Sequence, residues 1–129
     1  MKKLFFIILS VLPLLWGCDK DSGNDSAEYY VKYEYGVSSN PSFGSQYTNK
    51  TISINTDSGV KEFTTISNSF TETIGPVKKG FQASITVTYP SGSSASGTPS
   101  SKIYVCRGAE PFALKASNNS TSATYTIDF

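Results

Sequence analysis

Two cysteines, a scatter of carboxylates and a surplus of tyrosine are the side chains with chemistry to offer, and histidine is absent altogether. Without an imidazole the chain lacks the commonest general base and the commonest metal ligand. Cys106 has only Arg107 beside it, and nothing in reach to complete a thiol–imidazole dyad. Glu34, Glu62, Glu72 and Glu110 stand far apart in sequence; a glycosidase pair would need two of them to face each other across a cleft. No Gly-rich phosphate loop leads from a strand into a helix. Asp19, Asp21 and Asp25 lack the closing glutamate of a calcium loop. These residues predict no catalytic site, no metal and no cofactor. Recognition is the better prospect. Tyr29, Tyr30, Tyr35, Tyr47, Tyr89 and Tyr104 are more tyrosine than a small core needs. Such rings either cover sheet edges and cross-strand pairs or stack on sugars and anchor a protein partner. Tyr30, Tyr47 and Tyr104 are the candidate binding residues. The one tryptophan is Trp16, so no tryptophan follows it, which counts against a sugar-stacking module.

Cys18 has a different chemistry. Lys2 and Lys3 precede an apolar run of about thirteen residues that Pro13 interrupts, against roughly 20 for a spanning helix. A short apolar run behind two cations reads as a signal peptide over residues 1–17. The small residue Gly17 then stands directly before Cys18, a pattern that resembles the bacterial lipobox. There the thiol takes a diacylglyceryl group and, with palmitate-type acyl chains, anchors the mature protein to the membrane. Trp16 is bulkier than is usual at its position. The other reading is an ordinary signal peptide with a chance cysteine. Residues 18–28 follow as a polar tether with too little apolar surface to bury. Within it, Lys20 and Asp21 resemble the surface-export signals of Bacteroidetes lipoproteins, and Ser26, between Asp25 and Ala27, resembles an O-glycosylation site of the same phylum. The expected address is the outer membrane, facing the cell surface or the periplasm. With Cys18 acylated, Cys106 is left as a buried small hydrophobe, a reactive thiol or half of an intermolecular disulfide.

Removal of Lys2 and Lys3 with the leader leaves nine cations against ten acids, a net charge of about −1. No basic surplus remains for phosphates, so nucleic acid is not an expected partner. About 110 mature residues make one domain. Ser, Thr, Gly, Asn and Tyr dominate it, the composition of strands and turns.

Period-two alternation runs through that domain, residues 29–129. Tyr29, Val31, Tyr33, Tyr35 and Val37 share one face, and Tyr30, Lys32 and Glu34 the other. Residues 51–56 place Ile52 and Ile54 together. A hairpin turn follows at Asp57-Ser58-Gly59, then a strand whose register puts Phe63 inward through a bulge. A short strand over 70–74 ends at Gly75-Pro76. Phe81, Ala83, Ile85, Val87 and Tyr89 form the cleanest apolar face, against Gln82, Ser84, Thr86 and Thr88. Residues 90–101 read as a long Ser/Gly/Pro loop, a recognition loop or a spacer. Ile103 and Val105 define the next strand; Phe112, Leu114 and Ala116 alternate back; Ala123, Tyr125, Ile127 and Phe129 close the chain. Seven or so short strands predict a single all-β, immunoglobulin-like antiparallel β-sandwich, with a closed barrel as the alternative. Tyr33, Phe63, Phe81, Tyr125 and Phe129 are its expected core aromatics.

At Lys102-Ile103-Tyr104-Val105, with a glycine turn and a return strand, the domain resembles a known family. Val31-Lys32-Tyr33-Glu34, Thr51-Ile52-Ser53-Ile54 and the stretch from Phe70-Thr71 to Lys79-Gly80-Phe81 extend the likeness over most of residues 29–129. It is similar to the small Bacteroidetes lipoproteins with a domain like that of MmpS, the small mycobacterial membrane protein family. The resemblance implies a periplasmic accessory subunit beside a lipid exporter, with no catalytic residues to carry over. That family is anchored by a helix, and this chain reads as lipid-anchored. Residues and resemblance together predict a non-enzymatic envelope lipoprotein with an envelope protein as partner; a surface carbohydrate- or ligand-binding module is the alternative, and a hydrolase a third.

Overall fold

The computed structural model describes residues 27–39, 48–93, 95 and 97–129, so Cys18, Ser26 and Tyr47 lie outside the described residues. Among those described there is no helix. Eight strands run β1 Tyr29–Ser39, β2 Lys50–Thr56, β3 Gly59–Thr65, β4 Ser69–Val77, β5 Gln82–Thr88, β6 Gly97–Arg107, β7 Ala113–Asn118 and β8 Ser122–Thr126. They form two four-stranded sheets, β4-β1-β6-β7 and β3-β2-β5-β8, and every pair is antiparallel. The β-sandwich predicted from period two is the observed architecture, with one strand more than expected.

The alternation decides which face packs. Val31, Tyr33 and Tyr35 from β1, Ile52 and Ile54 from β2, Ala83, Ile85 and Val87 from β5, and Ile103 and Val105 from β6 all meet between the sheets. The aromatic share of this core differs from the expectation. Tyr33 is wholly buried, but Phe63, Phe81 and Tyr125 pack on the core from its margin, and Phe129 is 36% exposed. Tyr29 and Tyr35 take the interior places instead. A buried tyrosine needs a partner for its hydroxyl. Tyr29 donates to the Phe129 carbonyl, Tyr33 to the Asn55 carbonyl at 2.7 Å, and the Tyr35 and Tyr89 hydroxyls pair at 2.6 Å. So four of the six surplus tyrosines are spent inside or at the core margin or lie outside the described residues, and only Tyr30 and Tyr104 remain on an outer face.

Three local readings are corrected. The β2–β3 pairing is unbroken from Lys50↔Thr65 to Thr56↔Gly59, so Phe63 points inward without a bulge. It meets Phe70 at 5.1 Å between ring centroids where the two sheet edges approach. Val60 sits at the hairpin end, 67% exposed. The strand expected to end at Gly75 continues as β4 to Val77, with its irregularity opposite Tyr29 and Val31. Gly75 has φ +142, and a Cβ there would come 2.7 Å from the Tyr30 ring and 2.8 Å from the Tyr29 carbonyl oxygen. Finally, the expected loop over 90–101 already becomes strand at Gly97, because the polar tail of β1 pairs with it from Gly36↔Ser100 to Ser39↔Gly97. No apolar alternation announces that pairing.

Candidate functional site

The two sheets turn different chemistry outward. On β3-β2-β5-β8 the outward residues include Thr51, Ser53, Asn55, Ser84, Thr86, Thr88 and Thr124, with Glu62 and Val60 at the edge. That face is a hydroxyl lawn without an aromatic ring. On β4-β1-β6-β7 the pairing puts Tyr30 opposite Cys106, Lys32 opposite Tyr104, Glu34 opposite Lys102 and Gly36 opposite Ser100. Tyr30 and Tyr104 are thus diagonal neighbours on one face. The structure brings together two of the three predicted binding tyrosines.

β7 completes this face through a bulge. Ala116 opposes Ile103 on the inside, while Leu114 opposes Tyr104 on the outside, so Lys115 is the extra residue between them. The expected simple alternation of Leu114 with Ala116 is therefore broken. Leu114 is 51% exposed beside Tyr104, and Phe112 is half-exposed just before the strand. The Lys32 ammonium lies 4.7 Å from the Tyr104 ring centroid and 5.1 Å from that of Phe112. A cation over two ring faces is held by their quadrupoles. Glu34 Oε2 stands 3.8 Å from the same ammonium. Burial, and then the Glu34 carboxylate it hydrogen-bonds, push the Tyr104 phenol above its ordinary range. Tyr30 is half-buried, its ring seated over Gly75.

Toward the other end of the face the aromatic surface gives way to a shallow groove of about 310 Å³ over Gly36, walled by Glu34, Ser69, Thr71, Ser100 and Lys102, with Tyr35 and Phe70 also contributing to its lining. Sequence reasoning missed Lys32, Phe112, Leu114 and this groove. The alternation of β1 does place Lys32 and Glu34 opposite Tyr33; the cross-strand register that gives them Tyr104 and Lys102 has no local signal. The carboxylates do not converge. Glu34 is outward and Glu72 inward on the first sheet, where Glu72 pairs with Lys61 at 3.5 Å, and Glu62 takes the Ser53 hydroxyl on the second. Cys106 is buried and free, its thiol 3.9 Å from the Gly108 carbonyl oxygen.

A buried polar contact that composition gave no hint of lies at the start of β2. Lys50 is 1% exposed. Its ammonium donates to the Ser67 carbonyl at 2.8 Å and the Ile66 carbonyl at 3.3 Å, and stands 5.8 Å from the Tyr89 ring centroid. Burial lowers its pKa. It ties the start of β2 to the β3–β4 crossover, whose carbonyls have left the ladder. Lys50→Ala is expected to lower stability by about 1–3 kcal/mol, since two part-buried acceptors lose a charged donor. Urea unfolding checks this; a loss below about 0.5 kcal/mol would mean that water replaces the ammonium freely.

No protein-family model matches this chain, and neither does any curated protein or any solved structure.

Proposed function

We propose that the chain is a non-enzymatic cell-envelope lipoprotein, an accessory or interaction domain tethered to the outer membrane through Cys18 and the polar segment after it. The observation that carries the interaction role is the difference between the two outer faces. One is mainly Ser/Thr without an aromatic ring; the other gathers Tyr30, Tyr104, Phe112, Leu114 and a ring-held Lys32. Exposed aromatic and aliphatic side chains around a cation are the composition of an interface centre. The strand pairs β1–β4 and β2–β5 correspond to the B–E and C–F pairs of an immunoglobulin sandwich, which supports the immunoglobulin-like reading. Each buried CH₂ of a lipid anchor contributes about 0.8 kcal/mol, so several acyl chains hold far more firmly than one.

Two results test this. Cys18→Ala should move the protein from the membrane pellet to the soluble fraction; retention in the pellet sinks the anchor. A tagged wild-type chain should co-purify an envelope protein from those membranes, and Lys32→Glu with Leu114→Asp should lose it. Protease shaving of intact cells then separates a surface location from a periplasmic one. A second reading, a surface ligand-binding module, is favoured by the groove over Gly36.

A further inference from the structure

We infer that the groove over Gly36 is a binding site for a neutral, hydroxyl-rich ligand, a saccharide of one or two rings. The inference rests on the second reading above and names its ligand class.

Gly36 is the starting point. A glycine inside a strand costs stability, roughly 0.5–1 kcal/mol against alanine, and needs a reason. Here neither backbone conformation nor packing supplies one. Its φ is outside the left-handed region, and a Cβ at this position would meet only the Asn68 carbonyl oxygen, at an ordinary 3.9 Å. What the missing side chain does provide is depth. The residues opposite it, Ser69 and Ser100, are small as well, so the sheet surface sinks here, next to the long side chains of Glu34 and Lys102. Glycine within a strand recurs where a ligand approaches the backbone.

The walls decide the ligand class. Glu34 and Lys102 face each other across the β1–β6 pair, one an acceptor and the other a donor of opposite charge. An anion would meet the carboxylate and a cation the ammonium. Ser69, Thr71 and Ser100 add hydroxyls that donate or accept. A ligand that offers both donors and acceptors without net charge suits this lining, and a polyol ring does so. Glu34 is already held by Lys32 and Tyr104, so little side-chain freedom is lost on binding. The volume of about 310 Å³ lies at the small end of ligand sites. An open site of this size is expected to bind at roughly millimolar affinity.

The test uses the full lipidated chain in phospholipid vesicles and ligand-observed NMR. The probes are maltose, cellobiose and chitobiose, with glucuronic acid and glucosamine as charged counterparts. At least one neutral disaccharide should bind, and Gly36→Leu should weaken it tenfold or more while the unfolding midpoint holds. Thr71→Phe, on the exposed wall, fills the same space from the other side and serves if Gly36→Leu does not fold. The site is overturned if no neutral probe binds, if both groove-filling variants bind as well as wild type, or if either charged sugar binds more tightly than the neutral ones. A wild-type chain that binds no neutral sugar yet still co-purifies an envelope protein overturns the saccharide site alone. Sugar binding by wild type with no envelope protein recovered leaves the groove and strikes the interaction reading.

Discussion

Tyr33→Ala should cost about 3–5 kcal/mol of stability, the range for deleting a fully buried aromatic ring. Tyr33 has no exposed surface and projects from the centre of β1 into the space between the sheets. Its hydroxyl donates to the Asn55 carbonyl of β2 at 2.7 Å and is approached by the Ser84 amide of β5 at 3.4 Å. One side chain thus fills the middle of the core and fastens one sheet to two strands of the other. Alanine leaves a cavity and an unpaired carbonyl together. Tyr33→Phe separates the two effects: it keeps the ring and should lose only about 1–2 kcal/mol, the cost of the orphaned acceptor. For a domain this size, a kilocalorie shifts the midpoint by roughly 4–8 °C. Thermal and urea unfolding of both variants would decide it. An alanine variant within about 1 kcal/mol of wild type would mean that the interior collapses readily around the gap.

The second large effect is loss of stability in alkali. Burial pushes the Tyr33 phenol up to about 12, from 10.0. Burial and then the paired Tyr89 hydroxyl push Tyr35 higher still. Tyr125 rises to about 12 through burial and then its hydrogen bond to Asp128. A phenol whose folded pKa is raised contributes fully below the unfolded value and loses that contribution as pH climbs through the folded one. The window therefore opens near pH 10 and extends past 12. For the wholly buried Tyr33, a two-unit rise corresponds to roughly 3 kcal/mol, and Tyr35 adds to it. Lys50 acts the other way at lower pH. Its depressed pKa means that stability rises as pH approaches 10.5, and this ends where the tyrosines begin to ionise. Denaturant midpoints between about pH 8 and 12 should stay level or rise slightly, then fall steeply. Tyr33→Phe with Tyr35→Phe should flatten the fall. A midpoint that stays level through pH 12, or a fall unchanged in the double variant, would show that these phenols ionise without cost.

What could be read from residue order was what repeats locally. Period two in β1, β5 and β8 fixes which side chains face inward, because successive residues of a strand point to opposite faces whatever the partner. Asp57-Ser58-Gly59 announces the β2–β3 hairpin, because Asp, Ser and Gly suit a tight turn and Gly59 takes a positive φ where β3 begins. The all-β class follows from those signals alone. Tyr30 and Tyr104 could also be singled out as outward rings, but not as neighbours.

The tertiary structure decided everything that depends on which strand lies beside which. The polar start of β6 is a strand only because the tail of β1 is there to pair with it. The β7 bulge, which sends Leu114 out and Ala116 in, answers the register of β6. Tyr29 and Tyr35 belong to the core because their hydroxyls find Phe129 and Tyr89, which lie 100 and 54 residues away respectively. Lys50 is buried because two carbonyls of a distant crossover receive it. The groove over Gly36 likewise exists only where three strands place small residues at one level. Burial and convergence are sums over contacts between segments far apart in the chain, and a one-dimensional pattern of polar and apolar residues does not contain those sums.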